Sequence, residues 1–247
     1  MPEELDLCLS VIGQDCRCDP KFFDRSEVTP LMRLCLLILK MAKFEKIGFE
    51  EVLLGVLRNR LTGKSGVTVR KNLSISIKAK SGKAELSLVY VKWAHGYYLV
   101  GFADHAELGE FVANCAIPYK PQSLSGHQYC FSTLSEDDKG FANSCNGHFQ
   151  IPSRDEWVDG ACDEIANKIM EDYLPRLESL LRLDLSVVEL ARSEPRDFSY
   201  PLVTALYVAK VNGLGVSEFD MKKFVKAKAS GDIEYDKNLI ETNLRPE

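Results

Sequence analysis

The strongest constraint on the fold is an alternation of apolar and polar residues in the first half of the chain. Over residues 73–79, Leu, Ile, Ile and Ala alternate with Ser, Ser and Lys, the period of two expected of a strand with one buried face. The turns Ser81-Gly82 and His95-Gly96 separate this segment from two more extended segments, 85–93 and 97–102. The sequence therefore predicts a meander of three antiparallel strands.

Two helices are predicted before this meander. Thr29-Pro30 provides a hydroxyl cap and a first-turn proline, and we expect the helix that begins there to end near Lys43. Apolar residues at helical spacing follow Gly48, and Gly63 is a typical residue at the end of a helix. The pattern predicts a second helix between these two glycines.

The second half of the chain is predicted to add two short strands. Asp104 and Glu107 have the spacing of a capping box, which predicts a helix over residues 104–116. The two strands are expected at 127–134 and 147–151, on either side of an acidic turn.

Further helices are expected after the last strand. Ser153 and Glu156 form a second capping box, and Pro175 either kinks the helix that follows or begins a new one. Two more helices, which begin at Tyr200-Pro201 and at Ser217, are expected to form a C-terminal hairpin.

These elements follow one another in the order α-βββ-α-ββ-α. They predict an α+β fold with an antiparallel sheet of about five strands and a C-terminal helical hairpin. We expect residues 1–185 to form the main domain and residues 186–247 to form a helical extension packed on it. A chain of 247 residues is long enough to fold without a disulfide or metal.

The cysteines and the N-terminus bear on the cellular compartment. The eight cysteines are scattered through a large chain, and residues 1–6 carry three acidic side chains, the wrong sign for a secretory signal. The longest apolar run, 34–39, is much shorter than the roughly 20 residues of a membrane span. We expect a cytoplasmic protein with reduced thiols and no membrane partner.

Charge is segregated along the chain, although the net charge is only −5. Residues 52–84 contain eight basic side chains and no acidic one, whereas residues 155–178 contain eight carboxylates. Such asymmetry attracts a partner of opposite charge, and the alternative interpretation is a set of solvated faces. We predict a protein partner, with nucleic acid disfavoured because no nucleic-acid-binding motif is present. The predicted partner-binding residues are Arg58, Arg60, Arg70, Lys71, Lys78 and Lys80.

A second hypothesis is a structural zinc site. His127 and Cys130 form one ligand pair and Cys145 and His148 form another, in a spacing within the range of structural zinc sites. In a hairpin centred on the acidic turn, the two pairs would face each other. The alternative is a polar loop that contains these residues without binding metal.

A third hypothesis is a cysteine-dependent hydrolase or redox enzyme. It requires a thiol whose pKa is lowered by its surroundings. Other catalytic classes lack their motifs, because the sequence contains no Gly-x-Ser-x-Gly elbow. The segment Gly63-Lys64-Ser65 is no phosphate-binding loop, since the expected earlier glycine is Arg58.

The order of elements over residues 29–174 resembles that of the class I type III secretion chaperones, which are small, acidic and usually dimeric. The resemblance is one of topology and includes no specific motif. It implies a non-catalytic, chaperone-like protein of bacterial type that binds another polypeptide on an apolar sheet or helix surface. It also implies that a homodimer is one form the protein can take.

Overall fold

The computed structural model describes residues 30–134, 141 and 147–244, and for residues 30–45 it describes the backbone alone. The chain divides into two compact units, residues 1–44 and 45–247, and every feature below except the first part of the N-terminal helix belongs to the second unit. The predicted α+β fold is confirmed, since an antiparallel sheet is combined with helices at both ends.

The sheet is antiparallel throughout. Its described strands are β1 (Val67–Val69), β2 (Ser74–Ala79), β3 (Gly82–Val91), β4 (Gly96–His105), β5 (Tyr129–Ser132) and β6 (Phe149–Gln150). Strands β2, β3 and β4 form the predicted meander, and β1 lies at the edge beside β2. The outer edge of β4 is shared, because β5 pairs with residues 100–103 and β6 pairs with residues 96–97.

The helices differ from the predicted ones at both ends of the chain. They are α1 (Pro30–Leu61), α2 (Ala106–Asn114), α3 (Val158–Lys168), α4 (Leu174–Arg182), α5 (Ser186–Ser193), α6 (Pro201–Val211), α7 (Met221–Lys226) and α8 (Ile233–Asn243). The prediction of two helices before the meander was wrong, since α1 continues through Gly48. A helical glycine costs only about 1 kcal/mol, and the buried side chains of Phe49, Leu53 and Leu57 outweigh it.

Helix α2 begins one residue later than its predicted capping box. Its cap is His105, whose Nδ1 accepts the Leu108 N–H at 3.5 Å. Strand β4 continues to His105, which pairs with Gly82, so Asp104 is still part of the sheet. The Asp104 carboxylate instead accepts the Gln128 N–H at 3.1 Å.

The buried cap should make stability depend on pH. Burial lowers the pKa of His105, and this effect exceeds the opposing one of the Glu107 carboxylate. The unfolded chain therefore takes up the proton first, so stability should fall as pH drops below about 6.5. His105→Asn keeps a good cap without a titrating ring and should flatten this dependence between pH 7 and 5. Urea unfolding at several pH values measures it, and an unchanged slope in His105→Asn would contradict the assignment.

The second predicted capping box was also wrong. A short 3₁₀ turn, Asp155–Trp157, leads into α3, and neither element has a side-chain cap. A π-helical turn, Ile169–Tyr173, joins α3 to α4, and Pro175 lies in the first turn of α4. Proline lacks an N–H and crowds the carbonyl four residues earlier, so the wider turn accommodates it.

One hydrophobic core joins the sheet to the C-terminal helices. Phe49 stacks on Tyr97 with 5.8 Å between ring centroids, and Phe131 stacks on Tyr173 at 5.5 Å. Helix α6 is buried on nearly every side and belongs to the same core. The boundary predicted after residue 185 therefore lies inside one compact unit.

The predicted helix at Ser217 corresponds to α7, and α8 follows it without having been predicted. The N-cap of α8 is Asp232, whose carboxylate accepts hydrogen bonds from the N–H groups of Glu234 and Tyr235 at 3.1 and 3.0 Å. In the part of the chain that the structure describes, no helix has the length and apolar character needed to cross a membrane.

Candidate protein-binding face of the sheet

The two faces of the sheet are covered to different extents. Alternate residues of β3 and β4 are buried, and the residues between them are mostly half-buried. The buried set, which includes Leu86 and Leu99, forms the first face and belongs to the core. We call the other set the second face.

Apolar and aromatic residues occupy much of the centre of the second face, with Glu85, Ser87 and Ser132 beside them. Its half-buried residues in β3 and β4 include Val89, Tyr98, Val100 and Phe102. Val89 lies opposite Tyr98, and Val100 lies between Ser87 and Ser132. An antiparallel sheet normally presents polar residues on a face that meets water, and contiguous apolar surface indicates an interaction site.

Two lysines extend this face at one end. Lys78 of β2 lies directly opposite Lys83 of β3, and both side chains are exposed. Like charges in this position destabilise a sheet. Asp104 of β4 lies opposite Lys83 on the same face but is bound to His127 at 2.8 Å, and Glu85 is bound to Arg70 at 3.0 Å. Among the described residues, neither lysine has a carboxylate within 4.0 Å.

Some of the predicted partner-binding residues are paired within the chain. The Arg60 guanidinium donates to Asp163 and to Asn167, each at 2.6 Å. The Lys64 Nζ lies 3.7 Å from a Glu178 oxygen. The basic and acidic segments therefore contact each other, and part of their charge complementarity is satisfied internally.

The remaining predicted residues differ in their ion pairs. Arg70 is held by Glu85, as described above. Arg58, Lys71, Lys78 and Lys80 are exposed and have no ion pair within the described ranges. The charges of these four, and that of Lys83, are therefore not offset by an ion pair in that part of the chain.

The internal pairing can be measured with a charge swap. Arg60→Glu should lower the free energy of unfolding by about 1 kcal/mol, because it places two carboxylates side by side. Asp163→Arg in the same chain should restore most of that loss. Urea unfolding of both single variants and the double variant gives the coupling energy, and additive effects would show that the pair contributes nothing.

The structure does not bring the predicted zinc ligands together. The predicted hairpin was wrong, because β5 and β6 each pair with β4 and lie along its outer edge. His127 binds Asp104 at 2.8 Å and stacks on Phe102, whereas His148 packs edge-on against Trp93. Because Tyr97 pairs with Phe149, His148 lies level with Tyr98, which is six residue steps along β4 from Asp104, a span of about 20 Å.

That distance is far beyond what one metal ion can bridge. Cys130 lies in β5 opposite Phe102, on the second face with His127. Cys145 lies outside the described residues. Within the residues described, no group of three metal-ligating side chains is present.

The described cysteines are poor nucleophiles. Burial raises the pKa of the Cys115 and Cys130 thiols, and it raises that of Cys162 to about 12. At Cys130 a hydrogen bond with Ser125 acts in the opposite direction but is the smaller effect. A catalytic cysteine needs the reverse shift. The other five cysteines lie where side chains are not described.

The sequence contains a signal for the apolar part of the second face. Residues 85–93 carry apolar side chains on both sides of the strand, a pattern typical of a central strand. Strand β3 is central in the pairing order, yet only its first face is fully buried. Lys83 was also overlooked, since only the register shows that it lies opposite Lys78.

Comparison with known proteins finds no match to this chain among family models, curated proteins or solved structures. The function of the chain is therefore inferred from its own geometry. The topological resemblance to type III secretion chaperones stays a prediction.

Proposed function

We propose that the protein is a non-catalytic, cytoplasmic protein-binding module that engages a polypeptide partner through the second face of its sheet. One observation carries the proposal. The apolar residues of the half-buried second face lead to two opposed lysines, Lys78 and Lys83, that form no ion pair among the described residues. A partner with apolar side chains flanked by carboxylates complements both parts.

A polypeptide suits this face better than a nucleic acid. Protein interfaces have an apolar centre and a charged rim, which is the arrangement of Val100 and Phe102 relative to the lysines. A nucleic acid would require basic groups across the centre of the site, because its backbone is charged along its whole length. The centre of the second face carries no basic residue in β3 or β4.

Repulsion between Lys78 and Lys83 should lower the free energy of unfolding, and an acidic partner bound between them should offset that loss. Lys78→Glu creates a cross-strand pair with Lys83 and should raise the free energy of unfolding by about 0.5 kcal/mol. The same change should weaken partner binding, because it removes positive charge from the face. Lys92→Glu, at an exposed position in the β3–β4 turn, is the matched control and should leave binding unchanged. Weaker binding of equal size in both variants would contradict a role for this lysine pair.

A second copy of the chain is one partner that the resemblance implies. Native mass spectrometry of protein purified without added metal or chelator gives the subunit count and any bound zinc together. A dimer that dissociates in Val100→Asp would identify the second face as the dimer interface. A dimer that persists in that variant would place the subunit contact elsewhere.

A further inference from the structure

An apolar groove lies among the C-terminal helices, far along the chain from the strands of the second face. It is formed by α7, α8 and the 3₁₀ turn before α7, and its volume is about 550 Å³. Its apolar lining residues are Val216, Phe219, Met221, Val225, Ile233 and Ile240. Phe219 and Ile240 are buried and form its floor, whereas Ile233 is 58% exposed.

The charged residues of the groove are mainly lysines. Lys222 and Lys226 on α7 and Lys237 on α8 line it. Glu241 also lines the groove, and its carboxylate lies 3.9 Å from the Lys237 ammonium group. In the described part of the chain, Lys222 and Lys226 have no carboxylate within 4.0 Å. Lys223, on the same helix, is bound to Asp220 at 3.3 Å and does not line the groove.

This combination restricts the chemistry of an occupant. The volume is within the range of small-molecule sites, and the floor offers no polar group to a polar ligand. The lysines can place their charged ends at the rim while their aliphatic stems extend the apolar wall. The fitting ligand has a long apolar body and one anionic head.

We infer that the groove binds a free long-chain fatty carboxylate, with its acyl chain along Phe219 and Ile240 and its carboxylate between Lys222 and Lys226. Both interactions are non-covalent, and neither depends on the second face of the sheet. Charge complementarity selects an anion over a neutral or cationic amphiphile of the same chain length.

The test uses oleate, below the concentration at which it forms micelles, in competition with a fluorescent dansyl fatty acid. Oleate should bind saturably at one molecule per chain. The affinities of oleyl alcohol and oleylamine should be lower by a factor of about ten or more. Lys222→Gln combined with Lys226→Gln should weaken oleate about tenfold and leave oleyl alcohol unchanged. Lys223→Gln combined with Lys228→Gln removes the same charge outside the groove and should have no effect.

A substitution in the wall of the groove distinguishes specific oleate binding from adventitious binding. Val225→Gln puts a polar side chain into the half-buried wall and should abolish oleate binding while thermal unfolding stays cooperative. Equal affinity for oleate, oleyl alcohol and oleylamine would overturn the inference. So would oleate binding that Val225→Gln leaves intact. Binding to anionic phospholipid vesicles without binding to monomeric oleate would assign the groove to a membrane surface and overturn it as well.

Discussion

Asp236→Ala is expected to lower the free energy of unfolding by about 3 kcal/mol. The Asp236 side chain is fully buried and its oxygens accept three hydrogen bonds. The donors are the Tyr119 hydroxyl at 2.7 Å, the Ser230 hydroxyl at 2.6 Å and the Gly231 N–H at 3.2 Å. Alanine leaves these donors without an acceptor, and it releases the segment around Tyr119 from α8.

Urea unfolding measures this effect, and two variants calibrate it. Tyr119→Phe removes a single donor and should cost about 1 kcal/mol. Asp232→Ala removes the exposed cap of the same helix and should also cost about 1 kcal/mol. A loss in Asp236→Ala no larger than in these two variants would show that the buried carboxylate is not a main tether of the C-terminal helices.

Reversing the charge at the basic end of the second face is expected to reduce partner binding by about 100-fold or more. The variant carries Lys78→Glu, Lys80→Glu and Lys83→Glu, all at exposed positions without an ion pair in the described regions. The control carries the same change at the exposed residues Lys92, Lys120 and Lys228. Both variants change the net charge equally, so a general electrostatic effect would reduce binding in both. Equal losses would therefore contradict a site at Lys78 and Lys83.

The meander could be predicted because its signals are local. The alternation in residues 73–79 and the turns at Gly82 and Gly96 specify strands β2, β3 and β4 within a short stretch. The partners of β5 and β6 could not be predicted in this way. Each strand is at most four residues long, and its register depends on an edge of β4 that lies far away in the sequence.

The same difference applies to the candidate site. The basic segment can be recognised in the sequence, since charge is a property of composition. The contact between Arg60 and Asp163 cannot be recognised there, because 103 residues separate them. Nor could the sequence show that His127 and His148 occupy distant positions along β4, which follows only from the strand pairing.

Binding of a polypeptide by the second face can be tested by site-specific photocrosslinking in the native host cell. The crosslinker p-benzoylphenylalanine is placed at Val100, in the middle of the face, or at the exposed residue Trp157 as a control. If the second face binds a polypeptide, we expect a discrete covalent adduct from Val100, none of that size from Trp157, and loss of the adduct in Lys78→Glu combined with Lys83→Glu. No adduct at Val100, or the same adducts from both positions, would contradict it.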